Sequence, residues 1–210
     1  MATTATDYRW INDYPGLTEA YCVTLVRGVS VQQFLQGMRA EPEESIPGYS
    51  AFEDRTWEVW GEHDGDHYLI GATSVPGDEG EWVLGLEVNG FLGTVNQLVA
   101  PLSHDTRLVS HFCNVNAVDR FLWYDDGTLR TSFEPLFPTQ RATPDPDGLV
   151  GLMEEVGFDL REGDEHDFSM LTEAAFALAE RLTGVRVTPD VLDDATFATG
   201  LVPWSAVRNS

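Results

Sequence analysis

The chain is expected to fold as one α+β domain spanning residues 1–210, a mainly antiparallel sheet of about six or seven strands with helices packed on one face and at the C-terminus. Three observations predict it. Short runs rich in β-branched and aromatic residues follow one another, separated by the tight-turn dipeptides Asp64-Gly65, Asn89-Gly90 and Asp126-Gly127. Apolar residues at helical spacing concentrate after residue 145, so 145–210 reads as a helical C-terminal part. With 210 residues, 42 % of them hydrophobic, the chain can bury a core without a metal or disulfide staple.

Residues 1–20 read as an irregular segment anchored by Tyr8, Trp10 and Tyr14. YCVTLVRG is a compact β-branched run and reads as a strand ending at Gly28. Ser30 is a helix N-cap, and Val31, Phe34, Leu35 and Met38 follow at helical spacing. Residues 41–56 carry two prolines and many acids and read as a loop. WEVWGE alternates and reads as a strand, paired through Asp64-Gly65 with HYLIGATSV. EWVLGLEV is the next strand, and GFLGTVNQLVAPLS holds a short helix. TRLVSHFCNV, Arg120–Tyr124 and Leu129–Phe133 continue the meander, the last two around Asp126-Gly127. A proline-rich connector then leads to three helices: one closed by Gly157, one over Ser169–Leu182 stopped by Gly184, and a short one opened by Thr188-Pro189.

Charge is the strongest compositional signal. Thirty-five acids face twelve basic residues, all arginine, for a net charge of -23. Residues 41–81 hold twelve acids and one arginine; residues 145–173 hold ten acids and one arginine. Such a surface disfavours direct contact with nucleic acid or an anionic membrane, both of which call for clustered positive charge. It fits a solubility device, an acidic face that steers a basic partner, or mimicry of nucleic acid. The all-arginine basic set points to a GC-rich genome, with a halophile as the rival reading of the acid excess.

Motif chemistry is sparse. No lysine is present, which removes Walker-type phosphate loops and lysine catalysis, and no GxSxG, HExxH or CxxC occurs. No catalytic residue, metal site or cofactor is expected. Cys22 and Cys113 sit in apolar runs and read as free thiols. His63 and His67 flank Asp64 and Asp66 in a turn that lacks calcium-loop spacing. The residues singled out for a small-molecule or anion pocket are Glu87, Asn89, Arg107, Asn114, Asn116 and Arg120, with the two Asn of NVN sharing one side of a strand. Trp57, Trp60, Trp82, Trp123 and Tyr124 read as core, with one of Trp57 and Trp60 exposed if they lie on a strand. Glu43, Glu44, Glu53 and Asp54 are the candidate partner-binding acids.

CVTLVRG with its following helix, LEVNGFLG, NVNAVDRF and AERLTG resemble an actinobacterial family of unknown function, over about Tyr8 to Pro203. The resemblance implies a bacterial, cytoplasmic protein and carries no activity or catalytic residue with it. Two function classes follow. The first is a non-enzymatic acidic protein-binding module, in character like an immunity or antitoxin protein, capturing a basic partner. The alternatives are a small-molecule or anion-binding domain or unrecognised enzyme built on the Asn and Arg cluster, and a nucleic-acid mimic. The chain has no apolar run of membrane-spanning length.

Overall fold

Residues 2–145, 147–161 and 167–208 are described by the computed structural model. The N-terminal segment is helical rather than irregular: a 3-10 helix over Ala5–Asp13 and α1 over Pro15–Glu19. It is ordered because Tyr8 and Ile11 are buried, Tyr8 against Phe176 and within hydrogen-bond reach of Glu180. Strand β1 (Tyr21–Arg27) follows, then α2 (Val31–Gly37), where Ser30 Oγ accepts from Gln33 N as the N-cap reading requires. Two-residue strands β2 (Glu41–Pro42) and β3 (Ile46–Pro47) precede α3 (Tyr49–Glu62).

That helix overturns two expectations, the loop over 41–56 and the WEVWGE strand. The alternation of WEVW imitates a strand. The residues that bury are Tyr49, Phe52, Thr56 and Val59, at helical spacing. Asp64-Gly65 therefore turns a helix, not a hairpin, into β4 (His67–Gly77). β5 (Gly80–Val88), a 3-10 turn over Leu92–Thr94 and α4 (Asn96–Leu102) come next. β6 (Arg107–Cys113), β7 (Asp119–Asp125) and β8 (Thr128–Phe133) form the expected meander, with Asp126 and Gly127 both at positive φ in the hairpin turn. β9 (Arg141–Ala142), α5 (Val150–Val156), α6 (Leu171–Thr183) and α7 (Pro189–Asp193) lead to β10 (Thr196–Pro203) and α8 (Trp204–Arg208).

The sheet has ten strands rather than six or seven, in the order β2-β10-β4-β5-β1-β6-β7-β8-β9, with β3 also on β10 and every pairing antiparallel. The C-terminal part is accordingly not all helical: β10 returns to pair with β4 over Ala198–Pro203. At both edges the outermost strands are two residues long.

Helices cover both faces, not one. Tyr21, Val23 and Leu25 of β1 join a core with Phe176 and Leu178 of α6, Phe52 of α3 and Tyr8. Val26 belongs to a second core, with Phe34 of α2, Met38 at its C-cap, and Leu98 and Val99 of α4. Burial along β1 and β5 is correspondingly near-continuous, the pattern of a sheet roofed on both sides. Phe176 is the centre of the first core, its ring 5.5 Å from Tyr8, 5.5 Å from Tyr21 and 4.4 Å from His111. No helix is long and apolar enough to cross a membrane among the described residues.

Candidate functional site

One end of the sheet collects the start of β1 and β7, the end of β5 and β6, the start of β4 and the end of β10. Two depressions lie there, and Asn114 lines both. The larger is a cleft of about 550 Å³ between β6–β7, the N-terminal helices and the start of α6. Its carboxylates are Glu19 of α1, Asp119 of β7 and Glu173 of α6, and no arginine or histidine lines it among the described residues. Glu173 is 7 % exposed, its Oε1 accepting from Asn12 Nδ2 at 3.1 Å.

Register explains the cleft floor. Cys113 pairs with Asp119 and with Tyr21, so all three point to the first-core side. Burial raises the Asp119 carboxyl above the ordinary carboxylate range, and its Oδ1 is buried with no hydrogen-bond partner. Burial, and then the Asp119 carboxylate, push the Cys113 thiol up to about 12, so it stays protonated at neutral pH. One step deeper, Tyr21 Oη and His111 Nδ1 are 3.0 Å apart, and His111 Nε2 has no partner. Burial pushes His111 down to about 3, so this imidazole is neutral.

The smaller depression, about 170 Å³, is aromatic: Trp60, Tyr68, Phe91 and Phe112 surround Asn89 and Asn114. Tyr68 and Phe91 meet edge to face at 5.1 Å, and Trp204 closes on Phe91 at 5.4 Å. Trp57 and Trp60 are both exposed, at 46 % and 41 %, because both lie off the buried stripe of α3. Trp82 and Tyr124 are buried, and Trp123 is half-buried beneath the Arg107 guanidinium, 5.4 Å from its ring centroid. Val115 and Phe168, at 71 % and 50 % exposed, line the larger cleft.

The residues singled out from sequence divide into three groups. Glu87 is fully buried on the second-core face and accepts from Leu92 N at 2.9 Å and Gly93 N at 3.1 Å, so it holds a loop rather than a ligand. Burial raises its carboxyl to about 7, against the opposing pull of those two amides. Gly93 is required there: a Cβ would stand 2.1 Å from Thr24 Oγ1 and 2.6 Å from Ser110 Oγ. Asn89 sits at positive φ beside the aromatic depression. Asn114 and Asn116 lie in the turn after β6, not on a strand; Asn114 Oδ1 accepts from Asn116 N at 2.9 Å and Val118 N at 3.1 Å.

The arginines are not part of this group. Arg107 is at the opposite end of β6, roughly 20 Å from Cys113 at ordinary strand rise, where it pairs with Asp125 and donates to Leu182 O. Arg120 is exposed and, neighbouring Asp119 on a strand, points to the other face. It forms no ion pair with Asp119 or Glu134 among the described residues.

The acidic stretches do not each form one face. Glu43 and Glu44 are exposed beside the β2 edge; Asp54 is exposed and Glu53 half-buried on α3; Asp78, Glu79 and Glu81 are at the far hairpin, where Glu79 pairs with Arg27. Glu162, Asp164 and Glu165 of the second stretch, with His166, lie outside the described residues. His63 and His67 have ring centroids 4.0 Å apart, and no group of three His, Cys, Asp or Glu is placed to hold a metal among the described residues. Cys22 is a free, buried thiol and Cys113 a free, half-buried one.

Sequence reasoning missed Glu19, Asp119 and Glu173 as a group, since they come from three distant segments. The available signal was the hairpin pairing of Cys113 with Asp119 around the Asn114–Val118 turn.

A family model described as a family of unknown function (DUF6461) matches residues 1–206. No curated protein and no solved structure matches the chain.

Proposed function

The chain belongs to that family of unknown function, and on that premise we propose that it is a non-enzymatic protein-binding module that captures a basic partner at the strand-end face. One observation carries the reading. Of the six large apolar side chains left exposed among the described residues, Trp60, Val115 and Phe168 line the two depressions, together with three carboxylates and no basic side chain. Exposed aromatic anchors beside unpaired charge are the composition of a recognition surface. A net charge of -23 supplies the long-range field that steers a basic protein to it. Such a partner would be a cationic toxin domain or a nucleic-acid-binding protein, with this chain in the role of an immunity or antitoxin protein. The all-arginine basic set and two free thiols support a bacterial cytoplasmic setting in a GC-rich, actinobacterial-type genome.

Compared with the acids first singled out, this reading moves the contact away from Glu43 and Glu44. The test is affinity capture from the native host's lysate at low and high salt, with the wild-type chain and with a Trp60→Ser, Phe168→Ser double variant. A stoichiometric basic protein that the wild type retains, that salt releases and that the variant loses supports the reading. Retention of the same set by both proteins, or of nothing, overturns it.

A further inference from the structure

We propose that the aromatic depression at the strand ends binds a free small molecule bearing a trimethylammonium group. The inference goes beyond the capture reading: it needs no protein partner and can stand or fail without one. Four rings from four segments line the depression: Trp60 of α3, Tyr68 of β4, Phe91 of the loop after β5, and Phe112 of β6. Three of them are held in place. The Trp60 ring rests over Gly65, where a Cβ would stand 2.9 Å from its Cζ2. Tyr68 and Phe91 meet at 5.1 Å and 84°, and both pack on Trp204 outside the lining. The rest of the lining carries no charged side chain.

The field over these rings favours a cation. Gly90 forms one wall, and the Glu87 carboxyl group lies directly behind it: a Cβ on Gly90 would collide with Glu87 Oε2. Burial, and then the charges of Glu87 and Asp66, hold the Tyr68 hydroxyl above its ordinary range. Trp60 lies in the last turn of α3, whose carbonyl end adds partial negative charge. Arg120, paired opposite Phe112, is exposed and does not line the depression. A cation is therefore drawn to a hollow whose walls offer ring faces and no carboxylate oxygen. A guanidinium would leave most of its five N–H groups unmet there, since Asn114 Oδ1 already accepts twice from its own turn. A trimethylammonium group has no N–H to satisfy and sets its charge against the ring faces. The volume, about 170 Å³, suits such a group with a short tail.

The test titrates choline and its neutral carbon isostere, 3,3-dimethylbutan-1-ol, into the isotopically labelled full chain. Choline is expected to move the Trp60 indole N–H and the amides of residues 89–91, and the isostere to leave them in place. Trp60→Leu and Phe112→Leu are each expected to weaken choline at least fivefold. Trp57→Leu, on the same helix and comparably exposed but outside the depression, should change its affinity less than twofold. Asp66→Asn, which removes a charge and none of the lining, should weaken it two- to threefold. Phosphocholine, with its added negative charge, should bind at least fivefold more weakly than choline. Equal response to choline and the isostere overturns the site, as does silence of the Trp60 and 89–91 signals at tens of millimolar choline, or an equal loss in Trp57→Leu. Phosphocholine binding as tightly as choline overturns the choice of a free cation and points to a lipid headgroup. If choline binds but lysate yields no partner, the capture reading falls and the aromatic site stands. If choline fails while the wild type still retains a salt-released partner, the aromatic site falls and capture stands.

Discussion

Glu87 and Asp119 stand at the same end of one sheet, three strand spacings apart and on opposite faces. Both are carboxylates that burial pushes toward the protonated form. Glu87 has two backbone amides to accept from and a glycine pressed over its neighbours. Asp119 opens on a cleft with an oxygen that nothing satisfies. Satisfaction, more than burial, separates these two carboxylates. The same distinction applies to the amides: Asn114 spends its oxygen on its own turn, while Asn12 directs Glu173.

The sharpest way to break the comparison is to remove each acid. Glu87→Ala strands the Leu92 and Gly93 amides and should cost about 4 kcal/mol, from roughly 1–3 for each orphaned donor, read as a lower urea midpoint. The pH dependence should differ as well. Folded Glu87 holds its proton up to about 7, while the unfolded chain releases it near 4.5. Its contribution is therefore fully present below pH 4.5 and lost as pH rises through 7, about 3 kcal/mol by the pKa difference. Urea titrations from pH 4.5 to 8 should show that decline in the wild type and its absence, by difference, in Glu87→Gln.

Smaller effects sharpen the same line. Gly93→Ala drives a methyl into Thr24 and Ser110 and should cost about 2 kcal/mol, with Phe91 of the aromatic depression displaced in the amide spectrum. Asn114→Ala frees two turn amides that solvent can reach and should cost about 1 kcal/mol by thermal melting. Asp119→Asn should move stability by no more than about 0.5 kcal/mol. If Asp119→Asn instead destabilises as much as Glu87→Ala, the division between the two carboxylates fails.

Much of the strand framework was legible because its signals are local. β1, β4, β5 and the β7–β8 hairpin are apolar runs bounded by turn dipeptides, and α2, α6 and α7 carry their own caps. α3 was not, because WEVW satisfies period two while the buried set Tyr49, Phe52, Thr56 and Val59 satisfies 3.6. β10 contains Gly200 and Pro203, and its strand character comes from pairing with β4 more than a hundred residues earlier. Coverage of both faces was visible in principle, since YCVTLV does not alternate. Glu87 and Asn89 read from sequence as pocket residues; Glu87 is instead buried and accepts from the Leu92 and Gly93 amides. Of the cleft, only the Cys113–Asp119 hairpin pairing left a local trace; helix packing brings Glu173 above it.

The two-residue strands at one edge carry a further meaning. Along the outer side of β10, β2 pairs with Gly200 and Leu201, and β3 with Thr196 and Phe197. Between them Glu43 N donates to Thr199 O, and Thr199 Oγ1 donates to Glu44 O. Pro42 and Pro47 bring no N–H of their own to the outside. A foreign strand would therefore find only two short ladders there, each interrupted by a proline. Short, proline-bearing borders of this kind discourage lengthening of the sheet and leave the side chains at the strand ends as its more open surface.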